Sequence, residues 1–126
     1  MKSTTVARNY AEALVLAEGY GISREKPYDV LAGAAVASPF VHYKRAAFLQ
    51  PETEPVAFAV GLMRKDVALA RELAESLELQ LPVMAAAAEV LVEAAAAGLD
   101  DADFSRVADV LRLGRNHRPQ KTKEKR

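Results

Sequence analysis

The sequence contains no cysteine and no tryptophan, and it has only two histidines, His42 and His117. The first absence excludes a disulfide framework, a thiolate metal site and a cysteine nucleophile; two histidines are too few for a histidine-based metal cluster. No uninterrupted apolar run is long enough to cross a bilayer, and Met1-Lys2 leads into a polar Ser-Thr-Thr rather than a signal-peptide core, so the expected compartment is the cytoplasm. The marks of free-standing catalysis are missing as well: there is no Gly-rich phosphate loop after a strand, no P-loop, no His-Glu-x-x-His, and no Ser, His and Asp set that spacing would nominate. No catalytic residue and no metal ligand are assigned. Nothing reads as a strand, because period-two alternation is never sustained.

What is present suits one domain. The chain has 126 residues, 51% of them hydrophobic, which is enough to bury a single core. Formal charge is zero but unevenly spread: residues 112–126 hold seven Lys or Arg against one Glu, leaving ten basic and sixteen acidic residues upstream. A basic end of this kind can touch nucleic acid, yet Arg-Asn-His-Arg-Pro-Gln-Lys-Thr-Lys-Glu-Lys-Arg has nothing to bury and no ring to stack on bases. A disordered, solubilising tail is the expectation, and nucleic acid is not an expected partner.

Helical spacing dominates the remainder. Val6, Tyr10, Leu14 and Ala17 predict a first helix over residues 4–18, stopped by Gly19 and Gly21. Tyr28, Leu31, Ala32 and Ala35 form a second stripe, with Pro27 tolerated in a first turn and Ser38-Pro39 as the end. Residues 40–55 read as a short helical turn and a loop. Pro82 opens an Ala-rich helix that Gly98 closes as a left-handed cap. Asp100 or Asp101 then caps the last helix, with Asp103 near its positive end, and Phe104, Val107, Ala108 and Leu111 give that helix an apolar face. The expected class is all-α, and the Ala-rich surfaces invite a partner helix, so a homo-oligomer is expected. Glu89 and Glu93, four residues apart, read as a solvated face rather than an acid-base pair.

The stretch Val-Ala-Phe-Ala-Val-Gly-Leu-Met-Arg-Lys-Asp-Val-Ala-Leu-Ala-Arg-Glu-Leu-Ala-Glu-Ser-Leu, residues 56–77, places Asp66 among Leu62, Leu69, Ala70 and Leu73 on one side of a helix. Local sequence favours Asp66 as an N-cap between two shorter helices, with Lys65 solvated. The alternative is that the stripe borders a ligand groove that Lys65 reaches.

In combination, residues 55–112 resemble the C-terminal domain of the β-hydroxyacid dehydrogenase family, the 3-hydroxyisobutyrate dehydrogenase-like enzymes. The resemblance rests on Phe58 eight residues before Asp66, the Lys65-Asp66 pair, Pro82 at a helix start, Ala-Gly-Leu-Asp-Asp-Ala-Asp-Phe-Ser at 97–105 and a final Val-Leu-Arg. It extends back to about Glu12. The resemblance implies a compact domain of about five helices that, in the family, follows a Rossmann domain and closes the active-site cleft. It implies an NAD or NADP cofactor, bound only with a Rossmann domain supplied, and small hydroxyacids or semialdehydes as substrates. At matching positions Lys65 is the lysine that contacts the cofactor, and Phe58 and Asp66 line the cleft on the substrate side. The implied organisation is residues 1–113 as the helical domain, its first helix truncated, and 114–126 as a basic disordered tail. The family's Gly-rich fingerprint and Ser-Gly-Gly segment have no counterpart here, and its catalytic lysine, followed four residues on by Asn, is not matched by Lys2, whose i+4 residue is Val6. The expected role is therefore a cleft-closing domain that is not catalytic alone, completed by a Rossmann-domain partner. The alternative is a non-catalytic helical dimerisation or partner-binding module.

Overall fold

The computed structural model describes residues 2–116, with side chains over 4–114. Among these residues seven α-helices follow one another: α1 (Lys2–Gly19), α2 (Glu25–Ala32), α3 (Pro39–Tyr43), α4 (Arg45–Leu49), α5 (Val60–Ser76), α6 (Pro82–Ala96) and α7 (Val107–Asn116), the last entered through a 3-10 turn at Phe104–Arg106. Five of them have eight residues or more. Among the described residues the only β-type pairing is one antiparallel bridge between Ala59 and Asp103. The all-α expectation holds.

α1 is the axis of the molecule. It packs against α2, α6 and α7, while α5 and α6 pack against each other as a hairpin. Ala7, Ala11 and Leu14 bury the inner face of α1, the small residues letting neighbouring helices come close. Leu91 and Ala94 of α6 and Val107 and Ala108 of α7 meet it in a core that Tyr28, Phe48, Val60 and Val67 complete. Burying side chains of this size contributes about 1.5–3 kcal/mol each. Tyr28 sits edge-on to Tyr10 at 5.4 Å and tilted against Phe48 at 5.8 Å. Its buried hydroxyl donates to the Val41 carbonyl at 2.6 Å, tying α2 to α3.

Helix ends follow the chemistry of their residues, with two departures from expectation. Gly21 and Gly98 take positive φ, 92° and 79°, and each closes a helix by a pair of reversed bonds: Ile22 N–H to Ala17 and Gly21 N–H to Glu18, Leu99 N–H to Ala94 and Gly98 N–H to Ala95. α2 stops at Ala32, six residues before the expected end, because Gly33 follows and Ser38, ahead of a proline, is extended at ψ 163°. Pro39 therefore begins α3 rather than ending α2, and Ala35 is exposed. α7 continues to Asn116, past the expected boundary at 113; His117 and the rest of the basic segment lie outside the described residues.

Candidate functional site

Asp66 is not a helix cap. α5 runs unbroken from Val60 to Ser76, and Asp66 stands in its second turn. The expectation of two short helices fails because Lys65-Asp66 contains no breaker and the buried row Val60, Met63, Val67 and Ala74 continues through it at helical spacing. This row, not the leucines, is the core face. Leu62, Leu69 and Leu73 are 54%, 56% and 61% exposed. The apolar stripe that contains Asp66 thus faces solvent, and its carboxylate needs no internal partner. Lys65 borders the same stripe, three residues from Leu62 and four from Leu69, and is also exposed. Neither side chain has an ion pair or hydrogen bond among the described residues.

Phe58 lies just before α5 and is half-buried, its ring edge-on to Phe104 at 6.3 Å. Phe58, Lys65 and Asp66 fall within nine residues, Phe58 just ahead of α5 and the other two in its second turn. Two grooves among the described residues lie elsewhere. One of about 680 Å³ runs between α1, α6 and α7, lined by Val15, Leu16, Tyr20 and Leu111, with Glu12 and Glu93 at its rim. Another, of about 520 Å³, separates the start of α1 from that of α6.

What fixes the Phe58 end was only partly legible in the sequence. α5 has no capping side chain of its own. Its first N–H groups are taken by the loop after α6: Val60 N–H donates to the Ala102 carbonyl and Gly61 N–H to that of Asp100, both at 2.9 Å. A Cβ at Gly61 would stand 3.2 Å from that Asp100 oxygen, so glycine permits the approach. Asp100 does not cap the last helix; it pairs with Arg64 of α5 at 2.8 Å. The cap is Asp103, which accepts from Ser105 N–H at 3.0 Å. Asp103 is also the buried partner of Lys44, whose Nζ reaches both carboxylate oxygens, at 2.8 and 2.7 Å. Burial pushes the Asp103 carboxyl up, but the bonds from Lys44, Ser105 and Phe58 outweigh it and hold it below the ordinary aspartate value. Lys44 carries no local signal in the sequence, because its partner lies 59 residues away. Among the described residues no group of acids and histidines is placed to hold a metal ion, and no helix is long and apolar enough to cross a membrane.

Residues 3–111 match a family described as the NAD-binding domain of NADP-dependent 3-hydroxyisobutyrate dehydrogenase. The chain belongs to that family. It corresponds to the C-terminal domain, as the resemblance in residues 55–112 implied. The chain is similar to glyoxylate/succinic semialdehyde reductase 1 of Arabidopsis thaliana, 33% identical over 106 residues, covering 84% of this chain and 36% of the relative. Its fold is similar to that of 3-hydroxyisobutyrate dehydrogenase from Salmonella typhimurium, with TM-score 0.78 and 28% identity over 86% of this chain and 38% of the other. The Mycobacterium tuberculosis 3-hydroxyisobutyrate dehydrogenase, determined with L-serine, gives TM-score 0.73 and 30% identity, covering 86% of this chain and 39% of that one. The chain thus spans little more than a third of the length of these relatives.

Proposed function

We propose that this chain is the cleft-closing domain of an NAD(P)-dependent β-hydroxyacid dehydrogenase or semialdehyde reductase, and that it turns over no substrate alone. The observation that carries this reading is the exposed, uncompensated Lys65-Asp66 pair on the leucine stripe of α5, in a chain that belongs to this dehydrogenase family. An unpaired ammonium beside an apolar surface suits one edge of a dinucleotide. A single cation with no Gly-rich turn does not suit the whole of it. NAD or NADP, when bound by a Rossmann domain, supplies the hydride chemistry. This chain supplies a wall. Lys65 neutralises cofactor charge, Phe58 excludes water with its ring, and Asp66 accepts a hydrogen bond from a polar group at the substrate end. The Leu62, Leu69 and Leu73 surface is covered by the domain that carries the cofactor.

The same leucines also favour the second reading, a non-catalytic module that dimerises or binds another protein through α5. One experiment separates the two. The upstream part of the Arabidopsis relative is joined to this chain, and NADPH-dependent reduction of succinic semialdehyde is measured for the chimera and for the chain alone. Turnover by the chimera only is expected. Turnover by the isolated chain, or a folded, NADPH-binding chimera with none, would sink the proposal.

A further inference from the structure

Lys44 and Asp103 are 2% and 5% exposed, and they are 59 residues apart in sequence. A buried ion pair is weak support for stability, because desolvation offsets most of the attraction, so its presence calls for another account. Its partners supply one. Besides the two bonds from Lys44, the Asp103 carboxylate accepts the N–H groups of Ala57 at 3.0 Å, Phe58 at 3.3 Å and Ser105 at 3.0 Å. The Lys44 ammonium also lies 4.7 Å from the centre of the Phe104 ring, the ring against which Phe58 rests. One buried carboxylate therefore joins the α3–α4 junction, the Phe58 segment and the turn into α7.

Three backbone bonds lie beside that junction. Phe104 N–H donates to the Phe58 carbonyl at 2.9 Å, and beside it stand the Val60–Ala102 and Gly61–Asp100 bonds that serve as the missing cap of α5. An apolar pair would fill the same volume but would leave the Ala57 and Phe58 N–H groups without an acceptor. Lys65 and Asp66 follow five and six residues after the start of α5, about 8–9 Å along the axis at the helical rise, so any tilt of the first turn moves them.

We propose that Lys44 and Asp103 are positioning residues, a buried clasp that sets where Phe58 and the first turn of α5 lie. The use of that edge in cofactor and substrate contact rests on the function proposed above; the clasp itself does not. Native-state amide exchange of the full chain, followed by NMR, tests it. In Lys44→Met, the Val60, Gly61 and Phe104 amides exchange about tenfold faster or more, while those of α1 and α6 stay within about twofold of wild type. Lys44→Arg restores most of the protection, and Asp103→Asn, which keeps an acceptor for the amides but loses the charge, falls between. Uniform loss of protection, failure of Lys44→Met to fold, or no change at the three amides overturns the clasp. No cofactor enters the experiment, so an inactive chimera would defeat the proposed function and leave this result standing.

Discussion

The Leu79 N–H donates to the Ala74 carbonyl at 2.9 Å and closes α5 around Glu78, whose φ is 55°. The same reversed bond closes α1 and α6 around glycines, but here a side chain occupies the left-handed position, where an L-residue is disfavoured by about 1–2 kcal/mol. Glu78→Gly is expected to stabilise the chain by about 0.5–1 kcal/mol, and Gly98→Ala, at a φ of 79°, to destabilise it by a similar amount. Urea denaturation checks both: the midpoint moves in opposite directions with unchanged slope.

The two kinds of leucine are expected to differ sharply. Leu91 is fully buried in α6, and its truncation leaves a cavity that nothing nearby fills, so Leu91→Ala costs about 2–5 kcal/mol. Leu69 and Leu73 project from the other face of the α5–α6 hairpin, and alanine at either changes stability by no more than about 0.5 kcal/mol. A comparable loss at Leu69 would mean that its face is covered in the isolated chain.

That contrast shows what a sequence alone conveys here. Periodicity located α1, α6 and α7, because the core is built from residues at i, i+3, i+4 and i+7, but at α5 the local capping signal divided one helix into two. It could not say which of two apolar stripes on α5 faces inward, because Val60, Met63, Val67 and Ala74 on one side and Leu62, Leu69 and Leu73 on the other are both apolar at helical spacing. Asp66 looked anomalous only on the assumption that the leucines were core. Asp103 and Lys44 were hidden for another reason. Their pairing spans 59 residues and depends on how the α3–α4 junction meets the turn into α7, which no local pattern encodes. Phe58, Lys65 and Asp66 are proposed through family resemblance rather than through their own chemistry.

Acid is expected to act through Asp103. Burial raises its folded-state carboxyl, but the bonds from Lys44, Ser105 and the Phe58 N–H outweigh it and hold the carboxyl below the ordinary aspartate value of about 4. A depressed value of this kind contributes stability that is present above the unfolded-state value and is lost as pH falls through the folded one. Asp103→Asn should therefore be less stable than wild type near neutrality and lose less stability between about pH 4 and pH 2. Denaturant midpoints measured at both ends of that window test the convergence.

At the alkaline end the group is Tyr28. Burial, then the neighbouring Tyr10, push its phenol well above the usual value, against an opposing effect of Arg45 and with a lesser push from Asp29. The folded state keeps Tyr28 neutral while the unfolded chain ionises near pH 10, so the contribution is complete below that value and declines as pH rises above it. Tyrosinate absorbance from Tyr28 should appear together with loss of helix. Tyr28→Phe removes the donor to Val41, costing about 1–2 kcal/mol at neutral pH, and lessens the alkaline loss.

The last prediction concerns Lys65, and its force comes from what Lys65 does not touch. Having no ion pair and an exposed side chain, it contributes little to the fold, and Lys65→Ala should leave the stability of the chain within about 0.5 kcal/mol of wild type. In the chimera, on the proposed function, the same substitution takes a charge from the cofactor side, and the loss should fall on KM for NADPH, by about tenfold, more than on kcat. Asp66→Asn should instead raise KM for succinic semialdehyde. The two exposed neighbours would then be separated by which ligand each one meets. A Lys65→Ala chimera with unchanged cofactor KM would place α5 outside the cleft and return its leucine stripe to the role of a protein-binding surface.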